Sequence, residues 1–182
     1  MALKNKGSWD VPDPAGALQA LGPFITITAK PTLRFQMLRD SVNTSQNSID
    51  VTLLIDTGAR RTCLDQSIIK ILNVESVDTI LITGVSGQSE MRPLFQMSFD
   101  IPMTDDATGK VRTGNFETVV AGIAPVATAS KLKCHGLLGR DFLQFFRFNY
   151  SGPAGTWELI ESAPADAEKK PTKKRHSRYT GH

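Results

Sequence analysis

A single carboxylate at the end of an apolar run is the feature of this sequence best suited to chemistry. Asp56 follows the run 49–55 and is itself followed by Thr57, Gly58 and Ala59. Burying a lone charged carboxylate is costly, so such an aspartate is usually paired, protonated or functional. The Thr57 hydroxyl can bond neighbouring backbone, Gly58 permits close approach, and Ala59 keeps the loop floor narrow. The pattern suits a carboxylate that activates water; a turn-capping aspartate is the simpler alternative.

Two further elements could position that carboxylate. In the segment 135–143, Gly139 permits two backbones to approach closely, and Leu137 and Leu138 can pack against the loop that carries Asp56. A glycine-punctuated hairpin tip is predicted at 84–88, after a predicted strand. The tripeptide Asp-Thr-Gly occurs often by chance, so the three elements together favour a functional site far more than the tripeptide alone.

These three elements stand in the order found in retroviral-type (retropepsin-like) aspartic peptidases, and the chain resembles that family over residues 32–160. The resemblance implies that Asp56 is the catalytic residue and that no cofactor or metal takes part. It also implies roles for ten further residues. The active-site loop would be supported by Thr57, Gly58, Ala59, Leu137, Leu138 and Gly139, and the substrate-binding flap would contain Gly84, Val85, Ser86 and Gly87.

The activity of that family requires two aspartates. Two carboxyl groups about 3 Å apart cannot both ionise cheaply, so the pair shares one proton. The ionised member holds a water as nucleophile, and the protonated member polarises the scissile carbonyl. The chain contains one Asp-Thr-Gly, so a second copy has to supply the other aspartate across a two-fold axis. The resemblance therefore implies a homodimeric aspartic endopeptidase that binds an extended peptide or protein segment as a strand.

The chain departs from the family directly after this motif. Many viral members have acidic residues there, whereas this sequence has Arg60 and Arg61. An ion pair from such an acid to Arg140 is therefore absent, and we hypothesise that Asp141 pairs with Arg60 or Arg61 instead. The two arginines are expected to be solvated or ion-paired rather than in contact with substrate.

Short apolar segments with turn signals about every ten residues predict an all-β barrel or sandwich. With the resemblance, the expectation is a retropepsin-like closed β-barrel with one or two short helices, forming a two-fold dimer. The predicted strands are 24–29, 33–39, 49–55, 79–83, 91–101, 116–120, 148–150 and 156–160. Residues 15–21 are predicted to be coil or one short helix, 68–72 one or two helical turns capped by Asp65, and 142–146 a short helix.

Composition and charge limit the possible domain organisation and partners of the chain. The 182 residues, 40% hydrophobic and 21% charged, suit one domain. We divide the chain into an N-terminal extension (1–23), the protease domain (24–162) and a basic disordered tail (163–182). Six basic residues and no acids lie in 169–182, so the rest of the chain carries a net charge of −3 against +3 overall. A nucleic-acid partner is therefore disfavoured, except as an alternative function of the tail.

Other features exclude function classes. No apolar run reaches the roughly 18 residues of a membrane span, and the first ten residues do not resemble a signal peptide, so a cytoplasmic location is predicted. Cys63 and Cys134 are expected to be free thiols, and His135 has no second histidine at metal-ligand spacing. One functional alternative stays open: a non-catalytic module of this fold, used for dimerisation or for binding peptides.

Overall fold

The computed structural model of the chain describes residues 3–39, 48–84, 87–125 and 133–161. These residues form ten strands and four short helices, and the predicted all-β class is confirmed. The strands are β1 (Leu3–Ser8), β2 (Phe24–Pro31), β3 (Ile49–Ile55), β4 (Cys63–Asp65), β5 (Asp78–Thr83), β6 (Ser89–Asp105), β7 (Val111–Ile123), β8 (Gly136–Leu138), β9 (Phe146–Ser151) and β10 (Thr156–Glu161). The helices are α1 (Pro14–Leu21), α2 (Leu33–Arg39), α3 (Gln66–Ile71) and α4 (Arg140–Leu143).

Six of the strands close into a barrel. They are hydrogen-bonded in the order β2-β3-β8-β4-β7-β6, and β6 pairs with β2 to complete the ring. Most neighbouring pairs are antiparallel, but β3 with β8 and β4 with β7 are parallel. A ring leaves none of its own members with an unpaired edge, so the core inside it is enclosed on all sides. The predicted closed β-barrel is confirmed.

Alternating burial shows why these segments form barrel strands. On β3, Val51, Leu53 and Ile55 are buried while the residues between them are half-buried. On β2, Ile25 and Ile27 are buried and Thr26 is exposed. Successive side chains of a strand point to opposite faces, so this period of two puts one apolar face into the core.

An aromatic cluster ties α4 to the barrel. Phe142 is fully buried and packs edge-on against Phe99, with ring centroids 6.1 Å apart. It also stacks on Phe146 at 5.6 Å and contacts Phe116 at 5.3 Å. Large buried aromatic rings dominate core energetics, and pairs in these geometries add to the burial term. The cluster therefore fixes α4, which begins next to the site described below.

The N-terminal segment takes part in the sheet and the core. β1 pairs along its length with β10, from Lys4 opposite Ile160 to Ser8 opposite Thr156, and it also reaches the end of β6. Leu18 of α1 is buried in the main core. Residues 3–21, which sequence analysis placed in an extension, are thus packed on the barrel.

The predictions for the helices are mostly confirmed. Asp13 caps α1 by accepting the Gly16 N–H at 2.9 Å, and Asp65 caps α3 by accepting the Ser67 N–H at 2.7 Å. The third predicted helix is shorter, since α4 ends at Leu143 and the chain has entered β9 at Phe146. In the part of the chain that the structure covers, no helix is long and apolar enough to cross a membrane.

The predicted strand 33–39 is wrong. This segment is helix α2, and its first turn is closed by the Gln36 N–H, which donates to the Thr32 carbonyl at 3.0 Å. The Gln36 side chain donates back to the carbonyl of Pro31 at 2.8 Å. These local bonds satisfy the backbone where β2 ends, and an alternating apolar pattern in so short a segment does not exclude a helix.

Candidate active site

Asp56 lies where β3 leaves the barrel, next to β8. Its N–H donates to the carbonyl of Leu138 at 3.1 Å and so extends the parallel pairing of the two strands by one residue. The preceding N–H, of Ile55, donates to the carbonyl of Pro23 at 2.8 Å. The backbone that carries the carboxylate is therefore held on both sides, and the side chain itself is half-buried.

A tight loop holds one oxygen of the Asp56 carboxylate. Oδ1 accepts the N–H of Gly58 at 2.8 Å and the N–H of Ala59 at 3.2 Å. Among the described residues, the other oxygen, Oδ2, has no hydrogen-bond partner. One oxygen is thus oriented by the backbone while the second stays available. A Cβ at Gly58 would lie 3.1 Å from Oδ1, so the loop is tightly closed around the carboxylate.

Thr57 is placed differently from its neighbours. It is exposed, and its hydroxyl makes no hydrogen bond within the described part of the chain. Leu138, in contrast, is fully buried in the core, while Leu137 is half-buried on the opposite face of β8. Of the residues predicted to support the loop, Gly58, Ala59 and Leu138 therefore contact Asp56 through hydrogen bonds, and the Thr57 side chain does not.

Gly139 is required by close backbone packing. A Cβ at this position would lie 2.4 Å from the carbonyl carbon of Arg61, far inside van der Waals contact. The Gly139 N–H donates to the hydroxyl of Thr62 at 3.1 Å, and the next N–H, of Arg140, donates to the carbonyl of Ala59 at 3.0 Å. The start of α4 is thereby bonded to the Asp56 loop.

Thr62 is a supporting residue that sequence analysis did not single out. Its side chain is fully buried, and both its N–H and its hydroxyl donate to Oδ1 of Asp141 at 2.8 Å. Since the hydroxyl also accepts from Gly139, it connects the two segments that flank the active-site loop. A threonine six residues after the aspartate of Asp-Thr-Gly, with a second aspartate just after a later Gly-Arg, is the sequence signal that could have indicated this link.

The hypothesis that Asp141 pairs with an arginine is wrong. Asp141 accepts its bonds from Thr62, and no ion pair within the described ranges joins it to Arg60 or Arg61. Arg61 instead donates from Nη1 to the carbonyl of Val119 at 3.0 Å. The physical reason is proximity, because α4 starts against the backbone of residues 61 and 62. The Asp141 carboxylate is therefore within hydrogen-bond distance of the Thr62 N–H and hydroxyl.

Strands β5 and β6 form a hairpin whose tip contains the predicted flap residues. Gly84 closes the turn by donating to the carbonyl of Gln88 at 2.9 Å, and Gly87 donates to the carbonyl of Gly84 at 2.9 Å. Gly87 has a φ of 78°, which favours glycine. Both glycines are exposed. Val85 and Ser86 lie outside the described residues.

An apolar cluster connects this hairpin to the strand that supports Asp56. We call it the outer cluster, because it is separate from the core inside the barrel. Since Leu137 precedes Leu138, whose carbonyl accepts the Asp56 N–H, the outer cluster lies beside the Asp56 loop. Its buried members are Cys63, Leu94 and Ala121, and its partly buried members are Ile80, Ile82, Val119, Ile123 and Leu137.

Cys63 is a structural thiol of this cluster. Its pKa is raised to about 11, chiefly by burial; the negative charges of Asp141 and Asp56 also raise the pKa, and Arg61 and Arg92 lower it. Its Sγ donates to the Arg61 carbonyl at 3.5 Å. A thiol with so high a pKa is protonated at neutral pH and is a poor nucleophile. Both cysteines are free and buried, as predicted.

His135 helps to join β3 and β8. The ring atom Nδ1 of His135 accepts the backbone N–H of Thr52 at 2.9 Å. The backbone N–H of His135 donates to the Thr52 carbonyl at 2.8 Å. The Asp65 N–H donates to the His135 carbonyl at 2.8 Å. The ring therefore replaces a missing strand partner. The described ranges contain no group of three or more His, Cys, Asp or Glu residues that could hold a metal ion.

Comparison with models of known protein families finds no match for this chain, and comparison with curated proteins finds none either. Inference about its function therefore depends on the geometry around Asp56 and on the motif that sequence analysis singled out.

Proposed function

We propose that the protein is a homodimeric aspartic endopeptidase of the retropepsin-like type, in which a water activated between two Asp56 carboxylates hydrolyses peptide bonds. The observation that carries the proposal is the state of the Asp56 side chain. It is half-buried at the end of a barrel strand, with Oδ1 held by two backbone N–H groups and Oδ2 without a partner among the described residues. Such a carboxylate is oriented yet available for proton transfer.

The chemistry follows from bringing two such groups together. At short separation the two carboxyl groups share one proton, so one member remains ionised and can take a proton from water. The water oxygen attacks the carbonyl carbon of the scissile bond as the other member donates its proton to the carbonyl oxygen, which gives the tetrahedral intermediate. The proton taken from water then passes to the peptide nitrogen, the C–N bond breaks, and the amine leaves. The loop N–H groups of Gly58 and Ala59 orient each carboxylate throughout, so little reorganisation accompanies the reaction.

A second copy has to supply the other aspartate, since the chain contains one Asp-Thr-Gly. The exposed Thr57 hydroxyl, which has no partner in the described part of the chain, is available for a bond across the two-fold axis. β10 is flanked by β1 and β9 and offers no free edge. Among the described strands, β5 and β9 each have a single partner, so a copy that joins by strand pairing would add to one of these two.

The substrate would be an extended segment lying between the active-site loop and the β5–β6 hairpin. The partly buried residues of the outer cluster supply apolar contact for alternate side chains of such a strand. We expect cleavage in the cytoplasm, where a reduced environment would keep both cysteines as free thiols.

The proposal is tested by comparing the wild-type protein with Asp56→Asn in peptide cleavage between pH 4 and 7, with and without a statine-type inhibitor. We expect cleavage by the wild type that the inhibitor abolishes, and a loss of at least about a thousandfold in Asp56→Asn, since removing a catalytic group of this kind costs several kcal/mol. The matched control is Asp50→Asn, an exposed aspartate on the same strand that accepts a bond from Thr28. Equal residual cleavage in wild type and Asp56→Asn would remove Asp56 from the mechanism.

One observation favours a second candidate, the non-catalytic peptide-binding module. The two backbone bonds to Oδ1 are also those of an aspartate that only caps a turn. Under this alternative the wild type and Asp56→Asn bind extended peptides equally well, and neither one cleaves them.

A further inference from the structure

The active-site loop is followed directly by two arginines that lack an acidic partner. Arg60 is exposed and Arg61 is half-buried, and no ion pair within the described ranges includes either one. A half-buried guanidinium is usually paired, because its desolvation is costly. These two arginines are therefore cations close in sequence to a candidate catalytic carboxylate, and neither has an acidic partner among the described residues.

The position of Arg61 is fixed by one of its own hydrogen bonds. Nη1 donates to the carbonyl of Val119, 3.0 Å away, on the strand that contributes to the outer cluster. A guanidinium has five N–H donors in a rigid fork. In the described part of the chain the side chain of Arg61 makes only this bond, so most of its fork is unused.

The acidic groups of this region are engaged elsewhere or remain apart from Arg61. Asp141 accepts two bonds from Thr62 at Oδ1, while its buried Oδ2 has no hydrogen-bond partner among the described residues. Glu90 is paired with Arg92 on β6. Glu117 precedes Val119 by two residues on β7 but forms no ion pair with Arg61. Among the described residues, no ion pair therefore neutralises the guanidinium of Arg61.

The charges of Arg61 and Asp56 both affect the pKa of the Cys63 thiol. The Cys63 thiol experiences the charges of Asp56, Arg61 and Arg92 together, with the two arginines lowering its pKa against the larger effect of burial. In the chain, Arg61 lies between Asp56 and this thiol, five residues after Asp56 and two before Cys63.

We propose that Arg61, with Arg60 beside it, binds the side-chain carboxylate of a glutamate or aspartate in the substrate, a few residues from the scissile bond. The enzyme would then prefer acidic segments. A planar carboxylate matches the unused fork of the guanidinium and can accept two parallel bonds from it. The inference rests on the proposed peptidase function and specifies the substrate class of that same site.

The test uses a peptide library prepared from a digested proteome. Wild-type protein cleaves the library at its optimal pH, and mass spectrometry of the new termini gives the residues on each side of every cut. We expect glutamate and aspartate to be enriched about tenfold or more at one or two fixed positions, because a hydrogen bond to a charged group contributes enough for that factor. High salt lowers the enrichment. Cleavage without any acidic enrichment overturns the inference and leaves the peptidase proposal intact.

A binding experiment tests the same inference without requiring catalysis. Immobilised Asp56→Asn protein is incubated with the library, and the Asp and Glu content of retained peptides is compared with that of the flow-through. We expect retained peptides to be richer in acid. Equal content in the two fractions overturns the inference even if the wild type cleaves nothing, whereas acid-rich binding without cleavage contradicts only the peptidase function.

Matched variants attribute the preference to Arg61. We expect Arg61→Gln to lower the ratio of cleavage or retention between a Glu peptide and its Gln counterpart about tenfold, and Arg61→Lys, which keeps the charge but loses the fork, to lower it less. Arg34→Gln, an exposed arginine on α2, is the control and keeps the wild-type ratio. Thermal unfolding of each variant shows that the protein is folded. An unchanged ratio in folded Arg61→Gln overturns the assignment.

Discussion

The floor and the cover of the candidate site are built in contrasting ways. The floor, made by the Asp56 loop, β8 and the start of α4, is joined by backbone bonds to neighbours on several sides, and Thr62, Leu138 and Gly139 in it are buried. The cover, the β5–β6 hairpin, pairs chiefly within itself, and Leu81 and Met91 in it are 59% and 61% exposed. Regions with few buried contacts open at low free energy. Under the proposed function, a rigid floor would hold the carboxylate while the hairpin moves to admit a peptide chain.

Removing the Thr62 hydroxyl should have the largest effect on the stability of the floor. Thr62→Val leaves the buried Gly139 N–H without an acceptor and takes one donor from Asp141, so we expect unfolding free energy to fall by about 2–3 kcal/mol. Urea denaturation measures the change. Thr26→Val is the control, because that exposed hydroxyl only bonds Thr52 across the sheet, and it should cost under about 0.5 kcal/mol. Equal costs would show that the floor is not held by this network.

The alkylation rate of the Cys63 thiol measures how well the region around the floor is shielded from solvent. With a pKa near 11 instead of 9.0, its thiolate fraction at pH 8 is about a hundredfold below that of the unfolded chain, so alkylation by iodoacetamide should be slower by at least that factor. The folded state binds this proton more tightly, so stability should fall as pH rises from about 9 to 11. Mass spectrometry of the Cys63 peptide with and without urea gives the ratio. A native rate near the unfolded rate would mean that the floor opens readily.

The smallest effect is expected in the cover. Leu81→Ser changes a largely exposed side chain and should alter the unfolding free energy by less than about 0.5 kcal/mol. Leu94→Ser, in the same hairpin but 7% exposed within the outer cluster, should cost about 2–3 kcal/mol. Denaturation of the two variants compares them directly. If both leucines cost the same, the distinction between the exposed part of the hairpin and the part anchored in the outer cluster fails.

Sequence patterns predicted the strands well where burial alternates, as on β2 and β3, because one face of each meets the core. They failed at 33–39, where local bonds at the end of β2 decide in favour of a helix. They also missed β1 as a strand, since only Leu3 in it is apolar and its stability comes from pairing with β10, more than 140 residues away.

For the site, the motif indicated Asp56 and its loop, but not the partner of Asp141. The sequence offered two adjacent arginines, and opposite charges made an ion pair the obvious expectation. The barrel instead brings Thr62 against α4, and this contact depends on tertiary geometry that no local pattern contains. The hydrogen bond from Arg61 to β7 could not be predicted from the sequence for the same reason.

The pairing of β1 with β10 has a consequence for engineering the protein. Lys4 lies opposite Ile160, so the two ends of the folded domain are about 5 Å apart. A short glycine-serine linker could therefore join them in a circular permutant, with new termini opened in the exposed turn between β6 and β7. Because that turn belongs neither to the floor nor to the cover, the permuted chain would keep both and free the original ends for fusion elsewhere.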